Sequence, residues 1–158
     1  AIGTVDPYAY QAQKESGFKT IIDNNNNSGN AKMAAMGMKS KGACCYLYVS
    51  SKLVKENSAK AKAIVRSYKQ AAAWINKHPE ETAKIELNKG YVSKTKFINV
   101  KNVTQILKDE HFELNLKTGK EDLSYYIKQL KQAGYLKKNT NNKQLLKQAY
   151  WYPDLSKN

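Results

Sequence analysis

A change of pattern at Ser51 constrains this chain most, because short β-prone runs stop there and continuous helical periodicity begins. Before Ser51 the sequence predicts strands over residues 1–6, 18–22 and 44–50, with a short helix between the first two strands. After Ser51, apolar residues recur every three or four positions and form one stripe along each predicted helix. The pattern therefore predicts an α/β fold in which the strands come first and helices follow.

The helix boundaries are marked by serines, which are good N-terminal caps, and by proline and glycine. Pro79 is placed to begin a helix, because proline is tolerated in the first helical turn. Residues 118–120 are predicted to form a turn, since they include Gly119. The predicted helices cover residues 51–54 and 58–77, each capped by a serine, then 79–90, 100–112, 121–133 and 141–150.

The chain is strongly basic, with 27 lysine and arginine residues against 13 aspartate and glutamate residues, a net charge of +14. This balance excludes an acidic disordered tail and makes an anionic partner worth considering. Arg66 is the only arginine, however, and arginine makes most of the bidentate contacts that read bases and phosphates. We therefore interpret the charge as a solvated lysine surface that could associate with an anionic membrane or wall. No nucleic-acid partner is expected, and a basic nucleic-acid-binding domain is the alternative function.

The two cysteines, Cys44 and Cys45, are adjacent in a β-prone run. Neighbouring side chains on a strand point to opposite faces, so two buried thiols are the simplest interpretation. Zinc sites need Cys or His pairs spaced by two to four residues, and neither His78 nor His111 completes such a set. We expect no metal and no cofactor.

Motifs for catalysis are lacking, since the chain has no Gly-x-Ser-x-Gly, no histidine paired in sequence with carboxylates and no phosphate-binding glycine loop. No catalytic residue is predicted, and a binding protein is favoured over an enzyme. No apolar run is long enough to span a membrane. The chain opens on Ala1 rather than methionine, which leads us to expect a processed product or a fragment.

Several short pieces of sequence, taken in order, carry a resemblance to a known family. The pieces are GTVDPY at 3–8, KTII at 19–22, CCYLYVS at 44–50, KLVKEN at 52–57, AWINKHPEETA at 73–83 and LKQAGYL at 130–136. Their order resembles the C-terminal half of ABC-transporter solute-binding proteins of the nitrate/sulfonate/taurine and thiamine-pyrimidine family. The resemblance implies the substrate receptor of an importer, for a small polar ligand such as a sulfonate, nitrate or a pyrimidine-type compound.

The same resemblance implies a periplasmic-binding-protein-like fold of type II, in which two α/β lobes close on the ligand. Residues 1–42 would be the end of the second lobe and the return crossing, and residues 43–158 the C-terminal part of the first lobe. The implied partners are the ligand, ABC permease subunits and an N-terminal half of the same protein. The implied location is extracytoplasmic, lipid-anchored at the cell surface or in the periplasm. Alone, the fragment is expected to bind ligand poorly and can form a homo-oligomer.

Candidate ligand-binding residues follow from the position of the first predicted strand. Ligands of open α/β sheets lie beyond strand ends, which is where Asp6, Pro7 and Tyr8 occur. Asp6 is predicted to contact a cationic or hydroxyl group and Tyr8 to form an apolar wall; the alternative is that Asp6 caps a helix and Tyr8 packs. Cys44 and Cys45 join the candidates, because related thiamine-pyrimidine synthases carry a longer cysteine cluster at this place. That synthase activity is the second alternative.

Overall fold

The computed structural model describes residues 5–21, 35, 45–110, 112–114 and 116–156. Of these residues 63% are helical. The helices with described bounds are α1 (Tyr8–Ser16), α2 (Ser51–Glu56), α3 (Ser58–Lys77), α4 (Pro79–Asn88), α5 (Val100–Asp109), α6 (Leu116–Gln132) and α7 (Asn142–Ala149). The mostly helical character predicted after Ser51 is confirmed.

The predicted strands are the main difference from expectation, since none of the described residues lies in a strand. Residues 45–50 and 18–21 are irregular, and so is Val5 at the end of the first predicted strand. An extended segment becomes a strand only when a neighbouring backbone pairs with its N–H and C=O groups. The described residues offer these segments no such neighbour. Residues 1–4, Ile22 and Cys44 lie outside the described part of the chain.

One of the two predicted serine caps is at the wrong residue. Ser50 caps α2 as expected, accepting a hydrogen bond from the Leu53 backbone N–H at 3.1 Å. For α3, however, the cap is Asn57 rather than Ser58, because the Asn57 Oδ1 accepts from the Lys60 backbone N–H at 3.0 Å. Asparagine is as good a cap as serine, and the helix that it caps has the predicted bounds, Ser58–Lys77.

The turn predicted around Gly119 is also wrong, because Gly119 lies inside α6. A Cβ atom at this position would lie 3.1 Å from the Tyr150 hydroxyl oxygen. The glycine therefore provides space for the Tyr150 side chain against the helix, and tertiary packing outweighs its low helix propensity. The sequence contained no signal of this distant contact.

The chain divides into two compact units. Unit 1 comprises Ala1–Ile21 and Lys69–Glu113, and unit 2 comprises Ile22–Tyr68 and Leu114–Asn158. The division passes through α3, whose last residues belong to unit 1 and whose first residues belong to unit 2.

The core of unit 1 lies where α4 and α5 pack against each other. It consists of the buried residues Ala83, Leu87, Ile98, Val103 and Leu107, with Ile75, Val92, Val100 and Phe112 packed against them. Ile98, which is 1% exposed, comes from the connection between the two helices. Burial of each large aliphatic side chain stabilises the fold by about 1.5–3 kcal/mol. Ile98 thus anchors the connection to the helices on either side.

Short side chains hold this connection in place. The Thr95 hydroxyl oxygen accepts hydrogen bonds from the backbone N–H groups of Phe97 and Ile98, at 3.2 and 2.9 Å. Asn99 caps α5 by accepting from the Asn102 backbone N–H at 3.1 Å. The Asn102 amide in turn donates to the Phe97 carbonyl at 2.9 Å. Side chains therefore satisfy the backbone groups that an irregular segment would leave without partners.

A pair of hydrogen bonds joins α3 to the segment after α5. The Asn76 Nδ2 group donates to the Phe112 carbonyl at 2.7 Å, and the Phe112 N–H donates to the Asn76 Oδ1 at 3.1 Å. One amide side chain thus pairs with both backbone groups of one residue, as a neighbouring strand would. The contact holds Phe112 against the core of unit 1.

In unit 2, α6 and α7 form a helical hairpin. Gly134 has a φ of 82°, a left-handed conformation that glycine adopts readily after a helix. The Lys131 ammonium donates to the carbonyls of Lys138 and Thr140 and so binds the returning chain. Asn141 then caps α7, accepting from the Gln144 N–H at 3.0 Å. The turn between the helices is therefore fixed by hydrogen bonds at both ends.

Candidate functional site

The predicted ligand segment lies at the N-terminus of α1 in unit 1. Asp6 is half-buried, and its Oδ1 accepts a hydrogen bond from the Tyr10 backbone N–H at 3.0 Å. Pro7, joined to Asp6 by a cis peptide bond, precedes the helix, and Tyr8 is 50% exposed. Asp6 thus has the capping role that was weighed as an alternative. A carboxylate can accept about four hydrogen bonds, so capping leaves capacity for a ligand.

Two further carboxylates accompany Asp6. Glu110 is half-buried where α5 ends; burial raises the pKa of Glu110, and the negative charges of Asp6 and Glu86 raise it further. Burial also raises the pKa of Glu86. We call Asp6, Glu86 and Glu110 the acidic cluster. Negative charges that act on one another disfavour ionisation and favour a cation or a hydrogen-bond donor nearby, although these three carboxylates are not grouped closely enough to hold a metal ion. Sequence reasoning missed Glu86 and Glu110, because the effect of Asp6 and Glu86 on the pKa of Glu110 arises only in the folded chain.

The cysteine candidates lie elsewhere or outside the described residues. Cys45 belongs to unit 2 and is exposed, so the expectation of a buried thiol is wrong for it. The reason is that residues 45–50 do not form a strand whose faces other layers could cover. Cys44 lies outside the described part of the chain. Cys45 therefore does not share a unit with Asp6, Pro7 and Tyr8.

The histidine of the resemblance motif makes local contacts. The His78 ring stacks on Trp74, with ring centroids 4.8 Å apart and planes 19° from parallel. Its Nδ1 lies 2.7 Å from the Glu81 Oε2, one helical turn further along. The expectation that no histidine pairs with a carboxylate is therefore wrong for His78. Residues four and three apart are neighbours on a helix, so the spacing could have predicted both contacts. Across the described residues, no group of three His, Cys, Asp or Glu side chains could hold a metal ion.

Unit 2 contains a buried carboxylate surrounded by tyrosines. Asp122 is 3% exposed, and its charge acts on both Tyr46 and Tyr150. Burial raises the pKa of Tyr46 to about 12, with smaller contributions from Asp122, Tyr126, Tyr150 and Tyr48. The buried Tyr46 hydroxyl has no hydrogen-bonding partner among the described residues. We call Tyr46, Tyr126, Tyr150 and Asp122 the tyrosine cluster.

Sequence reasoning missed the tyrosine cluster. Tyr46 lies in the segment predicted as a strand over residues 44–50, and Asp122 lies in the helix predicted over residues 121–133 without being a candidate residue. The one available signal was the four-residue spacing of Asp122 and Tyr126, which places them on the same side of α6.

An open groove on unit 2 has a volume of about 430 Å³. Its described lining residues are Lys120, Glu121, Ser124 and Tyr152. This volume lies within the range of small-molecule sites, roughly 300–1,000 Å³. The lining includes one positive and one negative charge, so its electrostatics favour neither sign of ligand.

The positive charge of the chain is divided unequally between the units. Unit 1 has 10 basic and 8 acidic residues, a net charge of +2. Unit 2 has 17 basic and 5 acidic residues, a net charge of +12. The acidic cluster therefore lies in a nearly neutral unit, and the strongly basic character of the protein belongs to the other unit.

Comparisons with known proteins leave the resemblance without independent support. Searches with this chain match no family model, no curated protein and no solved structure. In the part of the chain that the structure describes, no helix is both long and apolar enough to cross a lipid bilayer.

Proposed function

We propose that this chain is a solute-binding component of an ABC importer, which binds a small polar ligand and performs no chemistry on it. In this proposal the chain belongs to a two-lobed, type II periplasmic-binding-protein-like fold that works outside the cytoplasm. Its partners are the ligand, the permease subunits and an N-terminal half of the same protein. The sequence resemblance and the acidic cluster support the proposal in different ways.

The positions of the helices support the resemblance. KLVKEN falls on α2 and the residue after it, and AWINKHPEETA covers the end of α3 and the start of α4. LKQAGYL falls on the end of α6 and the turn that follows. These three pieces therefore lie on helices or at helix ends, where their capping and helix-breaking residues have a local structural role, whereas the described parts of KTII and CCYLYVS are irregular.

The acidic cluster is the single observation that carries the choice of binding site. Asp6 lies at the start of α1, and the negative charges of Asp6 and Glu86 raise the pKa of Glu110. Tyr8, half exposed beside Asp6, provides a flat apolar surface. A carboxylate next to an aromatic ring, as Asp6 is to Tyr8, suits a planar ligand that donates hydrogen bonds or carries positive charge.

This chemistry narrows the ligand class. Nitrate and sulfonates are anions, and three carboxylates of the same sign would repel them. A pyrimidine-type compound with an exocyclic amino group donates hydrogen bonds to carboxylates and stacks on tyrosine. We therefore place pyrimidine-type and cationic heterocyclic ligands before nitrate and sulfonates.

A thermal-shift screen tests the proposal. The panel contains aminopyrimidines, cationic heterocycles, taurine, an alkanesulfonate, nitrate and bicarbonate. One sample is the 158-residue chain. The other, called the gene product below, is the longer protein that contains this chain in the proposal. A ligand that binds only the folded state raises the melting temperature. We expect an aminopyrimidine or a cationic heterocycle to raise the melting temperature of the gene product, with a smaller effect on the 158-residue chain.

Two results would contradict the proposal. A panel in which no compound shifts the melting temperature of the gene product would remove the receptor function. A shift with nitrate or a sulfonate alone would keep a receptor but remove the acidic cluster as its binding site. Asp6→Asn is the matched variant, because the asparagine oxygen can still accept the capping hydrogen bond from Tyr10 while the charge is lost.

A further inference from the structure

The end of the α6–α7 hairpin has a charge pattern that ligand binding does not explain. Residues 123–153 contain six lysines and no aspartate or glutamate. Three of these lysines, Lys137, Lys138 and Lys143, lie in the turn or at the start of α7, and all three are exposed. The lysines therefore form a positive surface without acidic residues between them.

An exposed aromatic side chain lies in the same turn. Tyr135 is 81% exposed, although its backbone N–H is held by the Leu130 carbonyl at 2.9 Å. We call Tyr135, Lys137, Lys138 and Lys143 the basic hairpin end. Tyrosine has an apolar ring and a polar tip, a combination that suits a boundary between lipid and water.

The backbone of the basic hairpin end is fixed before any partner binds. The Lys131 ammonium donates to the Lys138 and Thr140 carbonyls, and the Thr140 N–H donates to the Lys137 carbonyl at 3.0 Å. These bonds use the backbone of Lys137 and Lys138 and leave their side chains in solvent. A fixed turn loses little conformational freedom when its side chains meet a surface.

We propose that the basic hairpin end docks the protein onto an anionic lipid bilayer. Charge complementarity supports this occupant, because unit 2 has a net charge of +12 and its exposed lysines are the groups that an anionic membrane surface attracts. Tyr135 enters the headgroup region while the lysines remain among the lipid phosphates. The docking does not depend on the ligand of unit 1.

A bilayer suits this surface better than a nucleic acid does. Lysine acts as a point charge toward phosphate, whereas arginine makes the bidentate contacts typical of nucleic-acid recognition. The one arginine of the chain, Arg66, lies on α3 and outside the basic hairpin end. A single exposed tyrosine also offers no series of rings on which successive bases could stack.

Vesicle co-sedimentation tests the proposal with the full chain. Wild-type protein is mixed with vesicles of phosphatidylcholine alone or of phosphatidylcholine with phosphatidylglycerol, at low and high sodium chloride. We expect binding to the anionic vesicles only, weakened by salt. A lysine near an anionic bilayer strengthens binding about fivefold, so K137Q/K138Q should weaken binding by roughly 10- to 30-fold.

The matched control is K89Q/K101Q, which removes two exposed lysines from unit 1. Both double variants change the net charge equally, and the substituted side chains are exposed, so both should fold as judged by circular dichroism. We expect the control to weaken binding by less than about twofold, because the proposal assigns the contact with the lipid phosphates to the basic hairpin end and not to these two lysines. An equal loss of vesicle affinity in both variants would overturn the proposal, because binding would then depend only on the net charge of the protein.

A second measurement locates the contact. Tyr135→Trp places an indole in the turn, and brominated lipids quench indoles that reach the headgroup region. We expect quenching of this variant beyond that of wild type, which has Trp74 and Trp151 as background. Binding without additional quenching, binding to phosphatidylcholine alone, or tighter binding to duplex DNA than to anionic vesicles at the same salt would each overturn the proposal.

Discussion

The two units of this molecule differ more in charge than in construction. Both contain packed helices, yet unit 1 has a net charge of +2 and unit 2 a net charge of +12. In unit 1, the acidic cluster includes Asp6 at the start of α1. Unit 2 instead has a buried carboxylate, Asp122, in its tyrosine cluster and exposed lysines at the end of a helical hairpin. The basic character of the whole chain is therefore a property of one unit. The site proposed for a small ligand therefore belongs to unit 1, and the surface proposed for an anionic membrane belongs to unit 2.

The largest effect should come from the core of unit 1. Ile98→Ala removes a side chain that is almost fully buried among the residues of α4 and α5. We expect a loss of about 2–5 kcal/mol in the free energy of unfolding, measured by chemical denaturation. Ile64→Ala in unit 2 is the control, because Ile64 is exposed and should cost less than about 1 kcal/mol. Equal losses would contradict the assignment of the core.

The paired hydrogen bonds of Asn76 should have the next largest effect. Asn76→Ala leaves the Phe112 N–H and carbonyl without the amide that pairs with both. We expect unfolding free energy to fall by about 1–3 kcal/mol. Gln70→Ala, an exposed change on the same helix, is the control and should leave stability nearly unchanged. A loss no greater than that of the control would mean that the contact contributes nothing.

The tyrosine cluster of unit 2 should respond to alkaline pH. Burial raises the pKa of Tyr46 to about 12, so the phenol is more easily ionised in the unfolded chain, where its ordinary value is 10.0. Wild-type stability should therefore decline as pH rises from 10 to about 12, and Tyr46→Phe should remove that part of the decline. Because the hydroxyl has no described partner, the variant should cost less than about 1 kcal/mol at pH 7.

Tyr48→Phe is the control for that experiment, since Tyr48 is exposed. Its stability should follow the wild-type pH dependence. An unchanged alkaline decline in Tyr46→Phe, measured by urea denaturation at each pH, would contradict the burial of the Tyr46 hydroxyl.

The smallest effect concerns Glu110 in unit 1. Its pKa is raised above 4.5 by burial and by the charges of Asp6 and Glu86. The folded state therefore binds this proton more tightly than the unfolded state does. The resulting contribution to the free energy of unfolding is fully present below pH 4.5 and is lost as the pH rises through the raised pKa. Glu110→Gln should raise the melting temperature at pH 7 by about 1–3 °C and leave it unchanged near pH 4. A rise of equal size at both pH values would contradict this cause.

The helices could be predicted from local signals, and the clusters could not. The bounds of α3 and α4 follow from a polar cap and from Pro79, which act within a few residues. The strands predicted over residues 18–22 and 44–50 are absent from the described parts, 18–21 and 45–50, because pairing depends on a partner strand, which the residues of a segment do not specify. Gly119 was misplaced because Tyr150, far along the chain, occupies the space beside it.

The candidate site shows the same limit. Asp6, Pro7 and Tyr8 could be selected because they lie at the end of the first predicted strand, which is a local pattern. The charges of Asp6 and Glu86 act on Glu110 only because unit 1 folds, and nothing in the sequence around these residues predicts it.

The most direct test of the account is the affinity of Asp6→Asn, measured by calorimetry with the compound that shifts the melting temperature of the gene product most. A hydrogen bond to a charged group is worth about 1.5–3 kcal/mol, so the account predicts binding roughly 10- to 100-fold weaker than wild type. K137Q/K138Q in unit 2 should bind the same compound within about twofold of wild type. An Asp6→Asn variant that keeps wild-type affinity would contradict the assignment of ligand binding to the acidic cluster of unit 1.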